Sequence, residues 1–307
     1  MKLSRIGEFG LIQRISRREP RLPSTLVGIG DDCAVLRGKW SSSKGQEKYQ
    51  LITTDALIEN VHFKRTGLSF FALGQKAMAA NISDIAAMGG WPTHALVTVG
   101  LPEWVSVKNV DELYRGINSL AKRQRIDIVG GDTIASPKAL LISITLLGEV
   151  EKTDLLLRST AKVGDLICVT GKFGGVAARN YRVTRYALRV TSARAVAKSR
   201  IATAMIDSSD GLVRSVLEIC KASKVGARIW AGKVPVAKGA TLEQALYGGE
   251  EYELVFTVPK GKVKKLNGLK VEIKIVGEMV ARGSGIKLLD RYGKIKPLRS
   301  GGYEHFR

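Results

Sequence analysis

The chain has little cysteine and no long apolar run. Its three cysteines, Cys33, Cys168 and Cys220, stand far apart and include no CxxC pair. This excludes a cysteine-based zinc site and a disulfide framework, and it is typical of a reduced cytoplasm. No stretch of about 18 apolar residues is present, so we expect no transmembrane helix. The N-terminal segment lacks an apolar core and a small-residue cleavage site, so we expect no signal peptide.

Missing motifs exclude several enzyme classes. The three histidines, His62, His94 and His305, stand in unrelated contexts, and no Ser-His-Asp or Cys-His arrangement accompanies them. The chain has no GxxxxGK[ST] loop and lacks the VAIK, HRD and DFG motifs. The sequence therefore argues against a triad hydrolase, a P-loop enzyme and a protein kinase.

Length and segment pattern predict two domains. A chain of 307 residues exceeds one typical hydrophobic core. A strand-like run that ends in GEV is followed by a polar EKTD turn, which places the domains at residues 1–150 and 151–307.

Positive charge is in large excess, with 49 Lys and Arg against 28 Asp and Glu and a net charge of +21. Such an excess attracts nucleic acid or phosphorylated small molecules. No zinc finger, RNP-type aromatic motif or KH loop is present, so we expect no specific nucleic-acid binding. A basic nucleic-acid-binding protein is the alternative from another functional class.

Apolar, β-branched runs alternate with segments of helical periodicity, which predicts an α/β fold. Strands are predicted at residues 49–55, 94–102, 140–150, 165–171 and 252–259. Helices are predicted at residues 70–88, 110–125 and 209–225. The glycine pair 89–90 ends the first helix, and Ser209 or Asp210 is predicted to cap the third.

Acidic residues recur in apolar or glycine-rich stretches. They are Asp31, Asp32, Asp55, Asp84, Asp132, Asp207, Asp210, Glu250 and Glu251. Several follow a strand-like run directly, where α/β folds place their ligand crevices. Each one alone has an ordinary interpretation as a helix cap, a turn residue or part of an exposed loop.

Asp84 is the most informative of these acids. Its neighbours in NISDIAAMGG are apolar, and Asn81 lies one turn earlier on the same helix face. A carboxylate there is costly to bury without a cation or hydrogen-bond donors. Hydroxyls of Thr53, Thr54 and Ser209 stand beside other acids, and an all-oxygen set suits Mg²⁺ rather than zinc. The residues predict an acid-lined, Mg²⁺-dependent phosphate site.

An ordered set of motifs resembles the thiamine-monophosphate kinase family, within the superfamily of aminoimidazole ribonucleotide synthetase. The motifs are GIGDDCAVL, TTDALIENVHF, KAMAANISDIAAMGG, GGDT, RSTAKVGD, DSSDGL and GGEEYEL. The resemblance implies a two-domain α/β (α+β) fold of the aminoimidazole ribonucleotide synthetase type. Its N-terminal sheet domain would bind ATP and Mg²⁺ and dimerise, and a C-terminal α/β domain would follow.

The resemblance also implies an activity. The enzyme would transfer the γ-phosphoryl group of ATP directly to the phosphate of thiamine monophosphate, giving thiamine diphosphate and ADP. Several Mg²⁺ ions would hold the phosphates, and the enzyme would be a cytoplasmic homodimer. No residue would form a covalent intermediate, because alignment and charge neutralisation supply most of the catalysis.

Three sets of site residues follow from the matched motifs. The implied metal ligands are Asp32, Thr53, Thr54, Asp55, Asp84, Asp132, Asp207 and Asp210. The implied ATP contacts are Tyr114, Gly131, Asp132, Arg158 and Ser209. The implied contacts of the thiamine substrate are His62, Glu250 and Ser300.

Two positions depart from the family pattern near the thiamine substrate. Glu251 stands where GGEDYEL has aspartate, and Ser300 stands where the family often has a stacking aromatic residue, with Tyr303 as a substitute for that stacking. A related ATP-dependent synthetase or maturation enzyme with another acceptor is therefore an alternative. Such an enzyme would share the acids but lack GGExYEL and the VHF segment.

Overall fold

Two mixed β-sheets organise the chain. The structure is a computed structural model that describes residues 3–16, 22–41, 47–182, 186–298, 301–303 and 305–306. Within these ranges the first sheet contains β1 (Thr25–Val27), β2 (Ala34–Ser41), β3 (Glu47–Ile58), β4 (Trp91–Leu101), β5 (Asp127–Ala135) and β6 (Leu141–Glu151). The second contains β7 (Asp165–Thr170), β8 (Ala204–Asp207), β9 (Gly226–Trp230), β10 (Leu254–Pro259), β11 (Ile273–Val280), β12 (Ile286–Leu289) and β13 (Ile295–Pro297).

Helices cover these sheets and connect their strands. They are α1 (Gly7–Ser16), α2 (Phe70–Ala87), α3 (Val107–Gln124), α4 (Gly175–Ala178), α5 (Val190–Ser199), α6 (Leu212–Ser223) and α7 (Leu242–Tyr247). The predicted mixed α/β class is confirmed, and each predicted strand and helix overlaps one of these elements. None of the helices in the described ranges has both the length and the apolar character needed to cross a bilayer.

The first sheet has the order β1-β2-β3-β6-β4-β5, with a parallel pairing between β4 and β5 and antiparallel pairings elsewhere. Alternate residues of β6, including Ile142, Ile144 and Leu146, are fully buried. This period of two is expected of a strand with one face on a core. The helix α2 contacts β3 and β6 of this sheet and also packs against α3.

The helix α2 is buried on most of its surface because other elements surround it. It contacts α5 and β8 as well as the first sheet and α3. Its N-cap is Ser69, whose Oγ accepts a hydrogen bond from the N–H of Ala72 at 3.2 Å. Gly89 follows its end with φ of 77°, and a Cβ there would lie 2.7 Å from the carbonyl oxygen of Asp154. The predicted glycine stop therefore has a steric reason.

The second sheet has the order β13-β12-β9-β11-β7-β10-β8. Every residue of β8 and nearly every residue of β10 is buried. The predicted cap of the following helix is wrong: the N-cap of α6 is Gly211, and no side chain caps that helix. Ser209 and Asp210 instead lie in the turn between β8 and α6, on the border of a large cavity.

Candidate active site

A cavity of about 1230 Å³ lies between the two sheets. Its walls include Asp55 of β3, Asp84 of α2, Asp207 of β8 and the loop that carries Glu250. Both halves of the chain therefore contribute to one site. The volume exceeds the range of about 300–1,000 Å³ that is usual for small-molecule sites, which leaves room for two substrates.

Three carboxylates converge at the floor of this cavity. One oxygen each from Asp32, Asp84 and Asp207 lies within 4.8 Å of the others. The hydroxyl of Thr53 donates to Asp84 Oδ2 at 2.6 Å. The hydroxyl of Ser83 donates to Asp207 Oδ2 at 2.6 Å. These hydrogen bonds fix two of the carboxylates in place.

The glycine turn before Asp31 and Asp32 brings both acids against Arg158. Gly30 has φ of 123°, a conformation that only glycine adopts without strain. The Arg158 guanidinium donates to Asp32 Oδ1, and its Nε lies 3.7 Å from Asp31 Oδ1. The backbone N–H of Arg158 donates to Asp31 Oδ2 at 3.1 Å. The turn thus places adjacent acids where one guanidinium meets both.

Burial and mutual repulsion disfavour the ionised carboxylates. Burial and the Asp32 charge raise the pKa of Asp31 to about 7 and that of Asp207 to about 8. Burial, with the charges of Asp55 and Asp207, raises the pKa of Asp84 well above its usual value. Burial opposes the charge of Arg158, but the neighbouring carboxylates raise its pKa. The single positive charge of Arg158 does not neutralise the several carboxylates of this cluster.

The cluster fits a hard divalent cation. Asp32 Oδ2 is buried and has no hydrogen-bond partner among the described residues. An orphaned carboxylate oxygen of this kind is costly unless a ligand fills the gap. The available donors are carboxylate and hydroxyl oxygens, which magnesium and calcium prefer.

Four further residues from the predicted sets border the same cavity: Thr54, Asp55, Ser209 and Asp210. The N–H of Asp55 donates to Asn81 Oδ1 at 3.1 Å, which ties β3 to α2. Burial and the Asp32 charge raise the pKa of Asp55. Burial and the nearby Glu8 carboxylate raise the pKa of Asp210 to about 6.

Histidine and tyrosine rings form another part of the cavity wall. The ring centroid of His62 lies 5.1 Å from that of His305 and 6.4 Å from that of Tyr303. His62 Nδ1 accepts the N–H of Ile58 at 3.0 Å, so the neutral ring carries its proton on Nε2. Ser300 lies outside the described residues.

Three predicted ATP contacts do not reach this cavity within one chain. Tyr114 lies half-buried on α3, and Gly131 and Asp132 lie exposed on β5. Packing against β4 requires glycine at position 131, because a Cβ there would lie 1.8 Å from the carbonyl oxygen of Val97.

Sequence reasoning missed Lys76 and misjudged Glu251. Lys76 lies on the same face of α2 as Asp84, with Ala80 between them at helical spacing, and all three border the cavity. That spacing was the available signal. The Glu251 carboxylate does not border the cavity; its Oε1 accepts the N–H of Val176 at 3.0 Å, at the start of α4. The replacement of aspartate at this position therefore changes a loop contact rather than a cavity wall.

Comparisons with known proteins agree on one family. Residues 30–150 match the family model for the N-terminal domain of AIR synthase related proteins, and residues 162–288 match that for the C-terminal domain. The thiamine-monophosphate kinase of Bacillus subtilis is 33% identical over 98% of this chain and 100% of its own length.

Solved structures show the same fold. One described as AaThiL complexed with AMPPCP and TMP is 30% identical, covers 99% of both chains and has a TM-score of 0.84. The hydrogenase maturation protein HypE of Escherichia coli has a TM-score of 0.70 at 21% identity, over 81% of this chain and 85% of its own. At that identity, the likeness to HypE concerns the fold alone.

Proposed function

The chain belongs to the thiamine-monophosphate kinase family, and from that premise we propose how its cavity performs the reaction. The enzyme transfers the γ-phosphoryl group of ATP to thiamine monophosphate, giving thiamine diphosphate and ADP. The observation that carries the proposal is the convergence of Asp32, Asp84 and Asp207 within 4.8 Å, beside Arg158, in a cavity of about 1230 Å³. Acids that hold Mg²⁺ beside a guanidinium are the groups that phosphoryl transfer requires.

We propose Mg²⁺ as the cation of this acid cluster. Asp32, Asp84 and Asp207 would hold it, with Thr53, Thr54, Asp55 and Asp210 available for further ions. Bound Mg²⁺ supplies positive charge that neutralises the phosphate oxygens. The orphaned Asp32 Oδ2 and the all-oxygen donor set support this choice.

Arg158 and Ser209 are proposed to contact the ATP phosphates. The Arg158 guanidinium lies against the acids and borders the cavity, so it meets both the metal ligands and the phosphates. A planar guanidinium binds phosphate oxygens through two parallel hydrogen bonds. Its role is to align the transferred group and to balance its charge.

No general base is needed on the acceptor side. The second pKa of a phosphate monoester is about 6, so the acceptor oxygen is already ionised at neutral pH. That oxygen forms the new bond to the γ-phosphorus while the bond to the leaving ADP oxygen breaks. His62 therefore positions the acceptor by donating from Nε2, and Glu250 faces the same substrate.

We propose that two copies of the chain form a homodimer through β5. This strand lies at the edge of the first sheet, where β4 is its neighbour, and it exposes Val129 and Ile134. Exposed apolar edge strands are usually covered. Gly131 and Asp132 lie on the same strand, so a partner copy that pairs with β5 would cover these two residues, which do not border the cavity of their own chain.

We propose a domain boundary between residues 150 and 151, at the last residue of β6. A turn of helix at Lys152–Asp154 separates the last strand of the first sheet from the second sheet. We also propose a cytoplasmic location. The three free, buried cysteines support it, as does the need for ATP.

The reaction is tested by measuring ADP release from Mg-ATP with thiamine monophosphate, with thiamine and with no acceptor. We expect ADP and thiamine diphosphate in equal amounts when thiamine monophosphate is the acceptor, and neither product in the other two reactions. ADP formed equally without an acceptor would contradict the proposed transfer, and turnover with thiamine would contradict a phosphate acceptor.

A further inference from the structure

Lys76 is a charged side chain held inside the protein. It lies in the middle of α2 and its side chain is only 1% exposed. Lysine is almost never buried so completely unless its ammonium group is paired, because an unpaired buried charge is very costly. The position therefore needs an explanation from its partners.

The ammonium group of Lys76 contacts two segments that border the cavity. Its Nζ donates to Glu250 Oε1 at 2.6 Å and to the carbonyl oxygen of His62 at 2.7 Å. Glu250 follows α7 in the second half of the chain, whereas His62 follows β3 in the first. One ammonium thus joins the two residues that are proposed to face the thiamine substrate.

Glu250 is held in a strained and incompletely satisfied state. Its φ is 66°, which is uncommon for a residue with a side chain, and its N–H donates to the carbonyl oxygen of Ser209 at 2.6 Å. Its Oε2 is buried without a hydrogen-bond partner among the described residues, although Glu250 borders the cavity. Strain and unmet hydrogen bonding of this kind cluster where a ligand binds.

The lysine and the carboxylate have separate tasks in this arrangement. Burial raises the pKa of Glu250, and the Lys76 charge acts in the opposite direction. Since Oε1 is occupied by Lys76 Nζ, the side chain cannot rotate without breaking an ion pair. Oε2 remains as the oxygen that can accept a hydrogen bond from a bound molecule.

We propose that Lys76 is a positioning residue for the acceptor substrate: it holds Glu250 so that Oε2 accepts an N–H donor from the ring end of thiamine monophosphate. The inference rests on the proposed function and adds a residue and a contact to it. ATP binds at the acid cluster instead, so Lys76 affects the acceptor far more than the nucleotide.

The test compares steady-state constants for Lys76→Met, Glu250→Gln and the double variant. Lys76→Met keeps an unbranched side chain that is one atom shorter, and it removes the ammonium group. We expect its KM for thiamine monophosphate to rise about 10-fold or more, about the worth of one hydrogen bond to a charged group. Its KM for ATP should change less than about twofold.

Non-additivity separates positioning from a structural role. If Lys76 acts through Glu250, the KM of the double variant for thiamine monophosphate is no higher than that of Glu250→Gln alone. Lys48→Met is the matched control, because Lys48 Nζ also makes a 2.6 Å ion pair, with Glu149, away from the cavity. We expect its constants to equal those of the wild type.

Several results would overturn the inference. They are an unchanged acceptor KM in Lys76→Met, equal rises in both KM values, or additive effects in the double variant. If Lys76→Met does not fold, Glu250→Gln tests the inference. Its amide oxygen can still accept a hydrogen bond from Lys76, so the variant should fold. An unchanged KM for thiamine monophosphate in this variant would rule out the Oε2 contact. Wild-type protein that makes no thiamine diphosphate would instead overturn the proposed function itself, and the inference with it.

Discussion

At the scale of single residues, the acids could be predicted but their partners could not. Asp84 is recognisable because a carboxylate among apolar helix neighbours needs a cation or donors. The pair formed by Lys76 and Glu250 is 174 residues apart in sequence, so no local pattern joins them. The contact of Glu251 with α4 is equally nonlocal.

The acid cluster leads to a prediction for Asp84→Asn. The amide keeps the shape and can still accept from the Thr53 hydroxyl, but it removes the charge that a cation requires. We expect turnover at saturating Mg²⁺ to fall more than about 100-fold, and similarly for Asp55→Ala. The melting temperature of metal-free Asp84→Asn should equal or exceed that of the wild type, because one of several repelling carboxylates is gone.

Enzyme assays and thermal melts check this prediction. The control is Asp111→Asn, an exposed position of α3, which should behave as the wild type. Activity of Asp84→Asn within tenfold of the wild type would contradict the metal-binding role.

His62 leads to a prediction about pH. Burial, together with the positive charges of His305 and Lys76, lowers the pKa of His62 to about 4. An unfolded chain protonates its histidine below about 6.5. His62 therefore favours folding above pH 6.5, and this contribution is lost as the pH falls from about 6.5 towards 4.

Urea unfolding of the wild type and of His62→Gln at several pH values measures this effect. The free energy of unfolding of the wild type should fall relative to that of the variant over this window. In an NMR titration, the ring signals of His62 should stay those of a neutral imidazole at pH 5.5. A His62 ring that titrates near 6.5 would contradict a pKa lowered by burial.

At the scale of elements, helices and strands were predictable where periodicity is strong. The helix α2 was identifiable from its apolar spacing and its terminal glycines. The start of α6 was misjudged because both candidate caps precede a glycine, Gly211, which itself takes the N-cap position. Ser209 and Asp210 border the cavity instead of capping the helix.

The contact between α2 and α3 is made by glycines, which yields a prediction. A Cβ at Gly116 would lie 2.0 Å from the carbonyl oxygen of Phe71, so the two helices would have to separate. We expect Gly116→Ala to lower the free energy of unfolding by about 1–3 kcal/mol. Because α2 carries Lys76 and Asp84, activity should fall as well.

Chemical denaturation of Gly116→Ala measures this cost. Gly232→Ala is the control, since a Cβ there meets nothing within 4 Å. Equal stability of the two variants would contradict the close packing of these helices.

At the scale of the whole molecule, the number of domains was predictable, but the position of β5 at an exposed sheet edge was not. The matched motifs imply that Gly131 and Asp132 contact ATP, and the sequence carries no signal that places them on an edge strand. In the structure both lie on an exposed edge strand, and neither borders the cavity of its own chain. The homodimer is implied by the family resemblance, and the proposal that it forms through β5 comes from this placement.

Charges on β5 should separate the two copies. Val129 and Ile134 are 58% and 48% exposed, and aspartates at both positions would place repelling charges along a shared edge. We expect the double variant Val129→Asp/Ile134→Asp to sediment as a monomer and to bind ATP at least about 10-fold more weakly.

The matched control is Val163→Asp, at a residue that is 60% exposed in the second half of the chain. It should keep the mass and the ATP affinity of the wild type in sedimentation and calorimetry. A monomeric wild-type protein with full activity would contradict the role of β5.

The central claim is direct transfer between ATP and the phosphate of thiamine monophosphate. It is tested most directly with ATP labelled with ³²P in its γ-phosphate, mixed with thiamine monophosphate and excess enzyme. We predict that the label passes to thiamine diphosphate as ADP forms, with one labelled product for each ADP and none on the protein. Label that is retained on the chain, or released as inorganic phosphate without thiamine diphosphate, would contradict the account.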